Sequence, residues 1–267
     1  MNPPPRLFKY ESVTTQSLQN LKTQTIFFGS PLNFNDPYDC ALSPSIKEPS
    51  DDDVEKIRQS ELASKTLDPR AKDTIRVAST SGLRAMYLRI GQSAAEQAIQ
   101  DFLAQKGVSC FSETNDNLLM WAHYGGHSRG FCLEFDATHD PFSTFKKVGY
   151  ASVMPSLDLV KLVCKKNYDQ ILDLYCTKSK DWEYEREWRG IHNKVGTAYT
   201  YPGESLTGIY FGPEVAPSVF EIVCLILNGQ NETVKFWRGT RSKANFAVEY
   251  EQVLYTPHLA AKRKGLL

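Results

Sequence analysis

Apolar and polar positions change rhythm along this chain, and each rhythm predicts an element. Leu7-Phe-Lys-Tyr10 and Thr25-Ile-Phe-Phe28 are short runs of β-formers and predict strands. Between them, Leu18 and Leu21 lie one turn apart, so 12–24 reads as a short helix. Residues 29–38, Gly-Ser-Pro-Leu-Asn-Phe-Asn-Asp-Pro-Tyr, are dense in turn formers and predict a long loop. Residues 41–107 have a helical rhythm. Ser50-Asp-Asp-Asp53 opens a helix to about Ser64, Ala94 to Lys106 forms another that stops at Gly107, and polar 65–80 receives no element. Strands then return at 107–112, 130–136, 187–192 and 206–211, with a closing pair at 233–237 and 246–252. In the second of these, Phe131, Leu133 and Phe135 face one way and Cys132, Glu134 and Asp136 the other. Helices are expected at 116–124, stopped by Gly125-Gly126, at 157–177 with interruption, and at 216–227. Strands cluster and do not alternate with helices. The pattern therefore predicts a single α+β domain over 1–267 with a split, mainly antiparallel sheet, a helical insertion at 41–107 and a flexible tail at 255–267.

Composition narrows the setting. With 267 residues, 41% of them hydrophobic, the chain can bury a core without disulfides or metals. Lys+Arg and Asp+Glu are both 31, so no global charge draws it to nucleic acid or to a membrane surface. No apolar run approaches membrane-spanning length, and Met-Asn-Pro-Pro-Pro-Arg6 lacks a signal-peptide profile. The six cysteines form no C-x-x-C pair and sit among apolar neighbours, as small buried hydrophobes in a reducing compartment do. The expected location is cytoplasmic, with no membrane partner. Dinucleotide-fold and P-loop glycine motifs are absent. His123 and His127 have zinc-helix spacing, but Gly125-Gly126 intervenes and the H-E-x-x-H glutamate is missing, so no metal is expected.

Three segments concentrate polar and aromatic residues. In Trp182-Glu-Tyr-Glu-Arg-Glu-Trp-Arg189, a strand would set Glu185, Glu187 and Arg189 on one face. Two carboxylates that close repel unless a cation or ligand hydroxyls intervene. One of them could fix a sugar hydroxyl while the other stabilises an oxocarbenium-like centre; the plainer reading is a solvated strand face with ion pairs. In Met120-Trp-Ala-His-Tyr124, His123 is either a general base at a loop mouth or a side chain satisfying a carbonyl, with Trp121 and Tyr124 as core anchors. Phe34-Asn-Asp-Pro-Tyr38 is either a rigid turn or a polar loop over a bound nucleotide. Ser112, at the end of strand 107–112, could orient a ligand.

These segments occur together, in this order, with Leu7-Phe-Lys-Tyr10, Val108-Ser-Cys-Phe-Ser-Glu113, Gly130-Phe-Cys-Leu-Glu-Phe-Asp136 and Ile209-Tyr-Phe-Gly212. The set, across most of 7–255, resembles the bacterial domain of unknown function 2971 family. More distantly it looks like an ADP-ribosyltransferase, whose split sheet binds NAD. That resemblance implies Glu185-Arg-Glu187 as the late catalytic motif, with His123 beside it. It implies an NAD-binding set of Tyr10, Ser30, Asn35, Asp36, Ser112, Trp121, Tyr124 and Arg189. Tyr10 or Lys9 stands where better-known enzymes carry Arg or His, and Ser109-Cys-Phe-Ser112 is a loose counterpart of their Ser-Thr-Ser motif. The implied function is an NAD-dependent effector in toxicity or antiviral defence, with a nucleic-acid or protein target and an antitoxin or defence-system partner. A metal-dependent nuclease using Asp36, Glu185, Glu187 and His123, and a non-enzymatic ligand- or partner-binding module, are the alternatives. Glu187, a carboxylate crowded by Glu185, is expected on change to Gln to keep its fold and to lose activity by roughly two to four orders of magnitude.

Overall fold

The computed structural model describes residues 2–231 and 233–265. In chain order the elements are β1 (Arg6–Glu11), α1 (Thr15–Lys22), β2 (Thr25–Phe28), β3 (Ser45–Ile46), α2 (Asp51–Ala63), α3 (Pro69–Val77), α4 (Thr80–Gln105), β4 (Gly107–Ser112), α5 (Leu118–His123), β5 (Phe131–Asp136), β6 (Lys146–Lys147) and β7 (Gly149–Ala151). They continue with β8 (Ser156–Leu157), α6 (Leu159–Val163), α7 (Asp169–Tyr175), β9 (Thr177–Ser179), β10 (Glu187–His192), β11 (Thr197–Thr200), β12 (Leu206–Phe211), α8 (Pro217–Leu227), β13 (Lys235–Arg241), β14 (Val248–Val253) and α9 (His258–Arg263). The chain divides into two compact units, Met1–Ser30 with Gly107–Val148 and Asp181–Leu267, and Pro31–Lys106 with Gly149–Lys180. The helical segment expected over 41–107 falls in the second unit, which also takes in 149–180.

The first unit is built on an eight-stranded sheet among the described residues, ordered β14-β13-β12-β5-β1-β4-β10-β6. Its pairs are antiparallel except β12 with β13, so the sheet is mixed. The parallel pair needs a crossover, and α8, opened by Pro217, supplies it. Period-two alternation gives the sheet two apolar faces. Leu7, Phe111, Phe131, Leu133, Phe135, Trp188, Ile209 and Phe211 join Leu21 of α1 and Val223, Cys224 and Leu227 of α8 in the main core. Phe8, Tyr10, Cys132 and Tyr210 point the other way and pack with Met120 and Trp121 of α5. Each such side chain contributes about 1.5–3 kcal/mol on burial. Glu134, on this second face, is buried too; it accepts from Tyr210 Oη at 2.6 Å and Thr207 Oγ1 at 2.7 Å.

In the second unit, α2, α3, α4 and α6 pack around Val54, Ile57, Ile75, Leu83, Tyr87 and Leu159. Ser50 and Asp53 form a reciprocal capping box at the start of α2. Asp68 and Ser79 cap α3 and α4 through their side chains. Polar 65–80, which received no element, contains α3, and α4 begins at Thr80 rather than near Ala94. Gly82 and Gly91 lie within α4, and Gly91 lets Leu159 approach closely: an added Cβ would stand 2.8 Å from Leu159 Cδ2. The interrupted helix at 157–177 is α6 and α7, separated by Lys166 at φ 50°.

All six cysteines are free thiols, and Cys40, Cys132, Cys176 and Cys224 are buried. Among the described residues no helix is long and apolar enough to cross a membrane.

One glycine fixes how the chain enters β5. A Cβ on Gly130 would meet Glu11 O at 2.1 Å and Gly125 O at 2.9 Å, both backbone atoms that cannot swing away. Gly130→Ala should therefore destabilise by roughly 2–3 kcal/mol or more in urea unfolding. Gly29→Ala, whose Cβ would find only Phe27 at 3.8 Å, should stay within about 0.5 kcal/mol of wild type. Equal effects would contradict this packing.

Candidate active site

The site grows from the end of β10. This strand pairs with β4, setting Glu187 opposite Ser112 and Arg189 opposite Cys110. Alternation sends Trp188 into the main core and places Glu187 and Arg189 on the opposite face. That face is not solvated: Arg189 is 0% and Glu187 3% exposed. Arg189 Nε donates to Glu187 Oε1 at 2.7 Å and Nη2 to Oε2 at 3.0 Å, a two-pronged pairing that matches the guanidinium fork to the carboxylate.

Glu185 is not on the strand. Lys180–Glu185 forms a 3-10 turn, and Arg186 takes a left-handed φ of 44° before β10 starts. The expected shared strand face thus holds for Glu187 and Arg189 and fails for Glu185. The turn is pinned by backbone and hydroxyl bonds. Ser112 Oγ donates to Glu185 O at 2.7 Å, and Glu113 N donates to Arg186 O at 3.2 Å. The buried Glu185 carboxylate accepts the Tyr124 hydroxyl at 2.6 Å.

Tyr124 is delivered by α5. Asn117 caps that helix, accepting from Leu119 N and Met120 N, and its amide reaches Tyr184 O at 3.4 Å. His123, exposed at the end of α5, has ring neighbours on three sides: Tyr124 at 6.2 Å, and Trp182 and Tyr184 each at 6.4 Å. Trp182, Tyr184 and Tyr124 are half-buried. Two of these, Trp182 and Tyr184, were not among the sequence candidates. Their alternation with the glutamates in Trp182-Glu-Tyr-Glu185 was the available signal.

The structure places Tyr10 and Trp121 behind this cluster. Their rings pack edge to face at 5.1 Å within the second core. Tyr10 Oη donates to Thr114 O at 3.0 Å and Trp121 Nε1 to Asn115 O at 2.7 Å, so both hold the loop that follows Ser112. Burial pushes the Tyr10 hydroxyl well above the usual phenol range. Ser30 follows β2, where Gly29 bridges Val108, roughly 13 Å along β4 from Ser112 at 3.3 Å per residue. Asn35 and Asp36 belong to the second unit. There Asp36 Oδ1 accepts from Tyr38 N at 2.9 Å, the rigid turn that Asn-Asp-Pro predicts. In the same unit Asp39 and Lys178 make a buried ion pair at 3.2 Å. Among the described residues no group of three or more His, Cys, Asp or Glu side chains is placed to hold a metal ion.

Residues 120–190 match the family model described as Protein of unknown function (DUF2971). The matched span runs from Met120 of α5 through β10 and so contains Tyr124, Glu185, Glu187 and Arg189. No curated protein and no solved structure matches the chain.

Two outcomes follow from the electrostatics. Glu187→Gln removes the carboxylate that the fully buried Arg189 guanidinium holds at 2.7 and 3.0 Å, and breaking such a pair from one side costs about 3–5 kcal/mol. The tolerance expected from sequence is therefore reversed: chemical denaturation should show a loss of at least roughly 3 kcal/mol. A loss under about 1 kcal/mol would mean that the pair does not hold the site.

The second concerns Glu113, which accepts from Lys147 Nζ at 2.7 Å and Trp188 Nε1 at 2.8 Å. Burial opposes its charge, but these two bonds, together with the positive charges of Lys147 and Arg186, outweigh burial and hold its carboxyl below the ordinary 4.5. A depressed carboxylate stabilises the fold above the unfolded value, and that contribution is lost as pH falls through the folded value. Glu113→Gln should thus be less stable than wild type at neutral pH, by up to about 1 kcal/mol for this partly solvated pair. Thermal melts should converge below pH 4.5. A gap that widens on acidification would contradict the assignment.

Proposed function

We propose that this cluster is the catalytic centre of an NAD-consuming transferase of the ADP-ribosyltransferase type, acting on a nucleic-acid or protein target. Strand adjacency carries the reading. The resemblance calls for a first-strand residue, a mid-chain serine segment and a late glutamate pair around one NAD molecule. Here β1, β4 and β10 are neighbours, with Phe8 opposite Ser112 and Ser112 opposite Glu187. Three chain-distant segments thus lie side by side in one sheet, and that adjacency supports the reading.

The donor set fits the nicotinamide-ribose half of NAD. Carboxylates accept ribose hydroxyls, and the rings of His123, Trp182 and Tyr184 offer flat partners to a pyridinium ring. Arg189 is committed to Glu187, so the exposed Arg186 is the nearby cation for a phosphate. In the reaction, the bond from nicotinamide nitrogen to ribose C1 breaks and its electron pair leaves with nicotinamide. The target nucleophile then bonds to C1 and loses its proton, for which exposed His123 is the base. Positive charge builds on the ribose meanwhile, and Glu185, oriented by Tyr124, stabilises it. Glu187 with Arg189 positions that carboxylate. An effector role in toxicity or antiviral defence, with an antitoxin or defence-system partner, belongs to the same proposal and rests on the family resemblance.

One observation favours a second reading. Both Glu187 oxygens are engaged by Arg189, which suits a rigid ligand- or partner-binding module as well as a catalyst. The nuclease alternative has no metal-ligand group among the described residues to build on.

The test is transfer of label from NAD, radioactive in its adenylate, to nucleic acid and protein of a cell extract, with nicotinamide release measured in parallel. Wild type should label a target. Glu185→Gln keeps an acceptor for Tyr124 but removes the charge, and should slow labelling by roughly two to four orders of magnitude. Its unfolding should remain cooperative. Undiminished labelling would take Glu185 out of the chemistry. A wild type that releases no nicotinamide and labels nothing would leave the binding-module reading.

A further inference from the structure

Each helix of the second unit, α2, α3, α4, α6 and α7, gives side chains to one cavity of about 1320 Å³. Its wall is mostly aliphatic, and Ile57, Ile75, Met86, Leu159 and Leu162 continue the unit's core into it. The volume exceeds the roughly 300–1,000 Å³ typical of small-molecule sites. The cavity is open to water: Ile90 and Tyr168, which line it, are 54% and 61% exposed, and a bound alkyl chain would cover such surface.

The surrounding charge favours an anion. Lys65, Lys166 and Glu61 are the charged side chains that line the cavity. Behind the wall, Arg58 Nε lies 2.9 Å from the Glu55 carboxylate, and its Nη1 donates to the carbonyls of Ile75 and Ala78. Lys72 Nζ donates to the carbonyl of Ser64, itself a lining residue. Arg58, Lys65, Lys72 and Lys166 thus outweigh Glu55 and Glu61. Among the described residues the amines of Lys65 and Lys166 make no ion pair or hydrogen bond.

The backbone singles out Lys166. It closes α6 at a left-handed φ of 50°, where Lys165 N donates to Val160 O and Asn167 N to Lys161 O. Glycine is the usual residue at such a helix end, because a side chain adopts that conformation at a cost. A costly backbone conformation at a cavity wall points to a ligand contact.

We infer that this cavity binds an aliphatic carboxylate of the medium-chain fatty-acid class, its chain against the helices and its carboxylate at Lys166, with Lys65 adding to the positive field. The inference concerns the second unit alone and does not rest on the NAD reading.

The test is calorimetric titration of the full chain with decanoate, 1-decanol and decylamine, which share a chain and differ in head group. Decanoate should bind saturably, 1-decanol at least tenfold more weakly and decylamine more weakly still. Lys166→Gln should weaken decanoate by roughly tenfold, as loss of a charged hydrogen-bond partner does, and leave 1-decanol unchanged. Lys166→Gly should weaken decanoate equally while holding or raising the melting temperature, since glycine suits the bend. Ala94 lines the cavity from an exposed position on α4, so Ala94→Trp should fill the space and abolish binding of decanoate and 1-decanol at an unchanged melting temperature. Absence of saturable decanoate binding to wild type would overturn the site. Binding that survives Ala94→Trp would overturn its location. Decylamine or 1-decanol binding as tightly as decanoate would overturn the anionic class, and full decanoate affinity in Lys166→Gln and Lys166→Gly would overturn the role of Lys166.

Discussion

A guanidinium with no exposed surface must be neutralised where it stands, and in this protein a carboxylate two residues away pairs with it through two hydrogen bonds. Arg189 and Glu187 sit on the same face of β10 because a strand repeats every second residue. Between them Trp188 anchors the strand in the opposite core. The ion pair thus replaces apolar packing on one face of β10 while the other face packs normally. Such a substitution rarely adds stability over well-packed hydrophobic residues. In the interior it fixes a guanidinium and a carboxylate in one geometry at the start of β10.

The rest of the first unit serves that geometry through hydrogen bonds from three separate segments. The chain must leave the 3-10 turn and enter β10 within one residue, and Arg186 makes the bend in a conformation that an L-residue adopts reluctantly. Ser112 and Glu113 hold the bend from β4, and Tyr124 holds Glu185 from α5. Trp121 of α5 and Tyr10 of β1 tie the loop at Thr114 and Asn115 to the second core. The left-handed bend at Arg186 is therefore held on two sides, from β4 and from α5.

Much of this framework was legible in the sequence. The strand at 187–192, the helix ahead of Gly125-Gly126 and the opposed faces of β5 follow from local periodicity, and the structure has them. The position of Glu185 did not follow, because a left-handed arginine leaves no mark in a sequence as a glycine or asparagine would. The bond from Tyr124 to Glu185 spans 61 positions and has no local signature. The burial of Glu187 and Arg189 was equally hidden: charged residues in alternation read as a wet face unless the neighbouring strands are known. In the second unit, strands of two or three residues, such as β3 and β8, are too short to show a period.

The central claim is that the end of β10, with its neighbours from β4 and α5, receives the nicotinamide ribose of NAD. A crystal structure of the protein with an NAD analogue whose nicotinamide bond resists cleavage tests it most directly. The account predicts the ribose within hydrogen-bond distance of Glu185 and the nicotinamide ring among His123, Trp182 and Tyr184. An analogue seated elsewhere on the protein, or no bound analogue at saturating concentration, would contradict it.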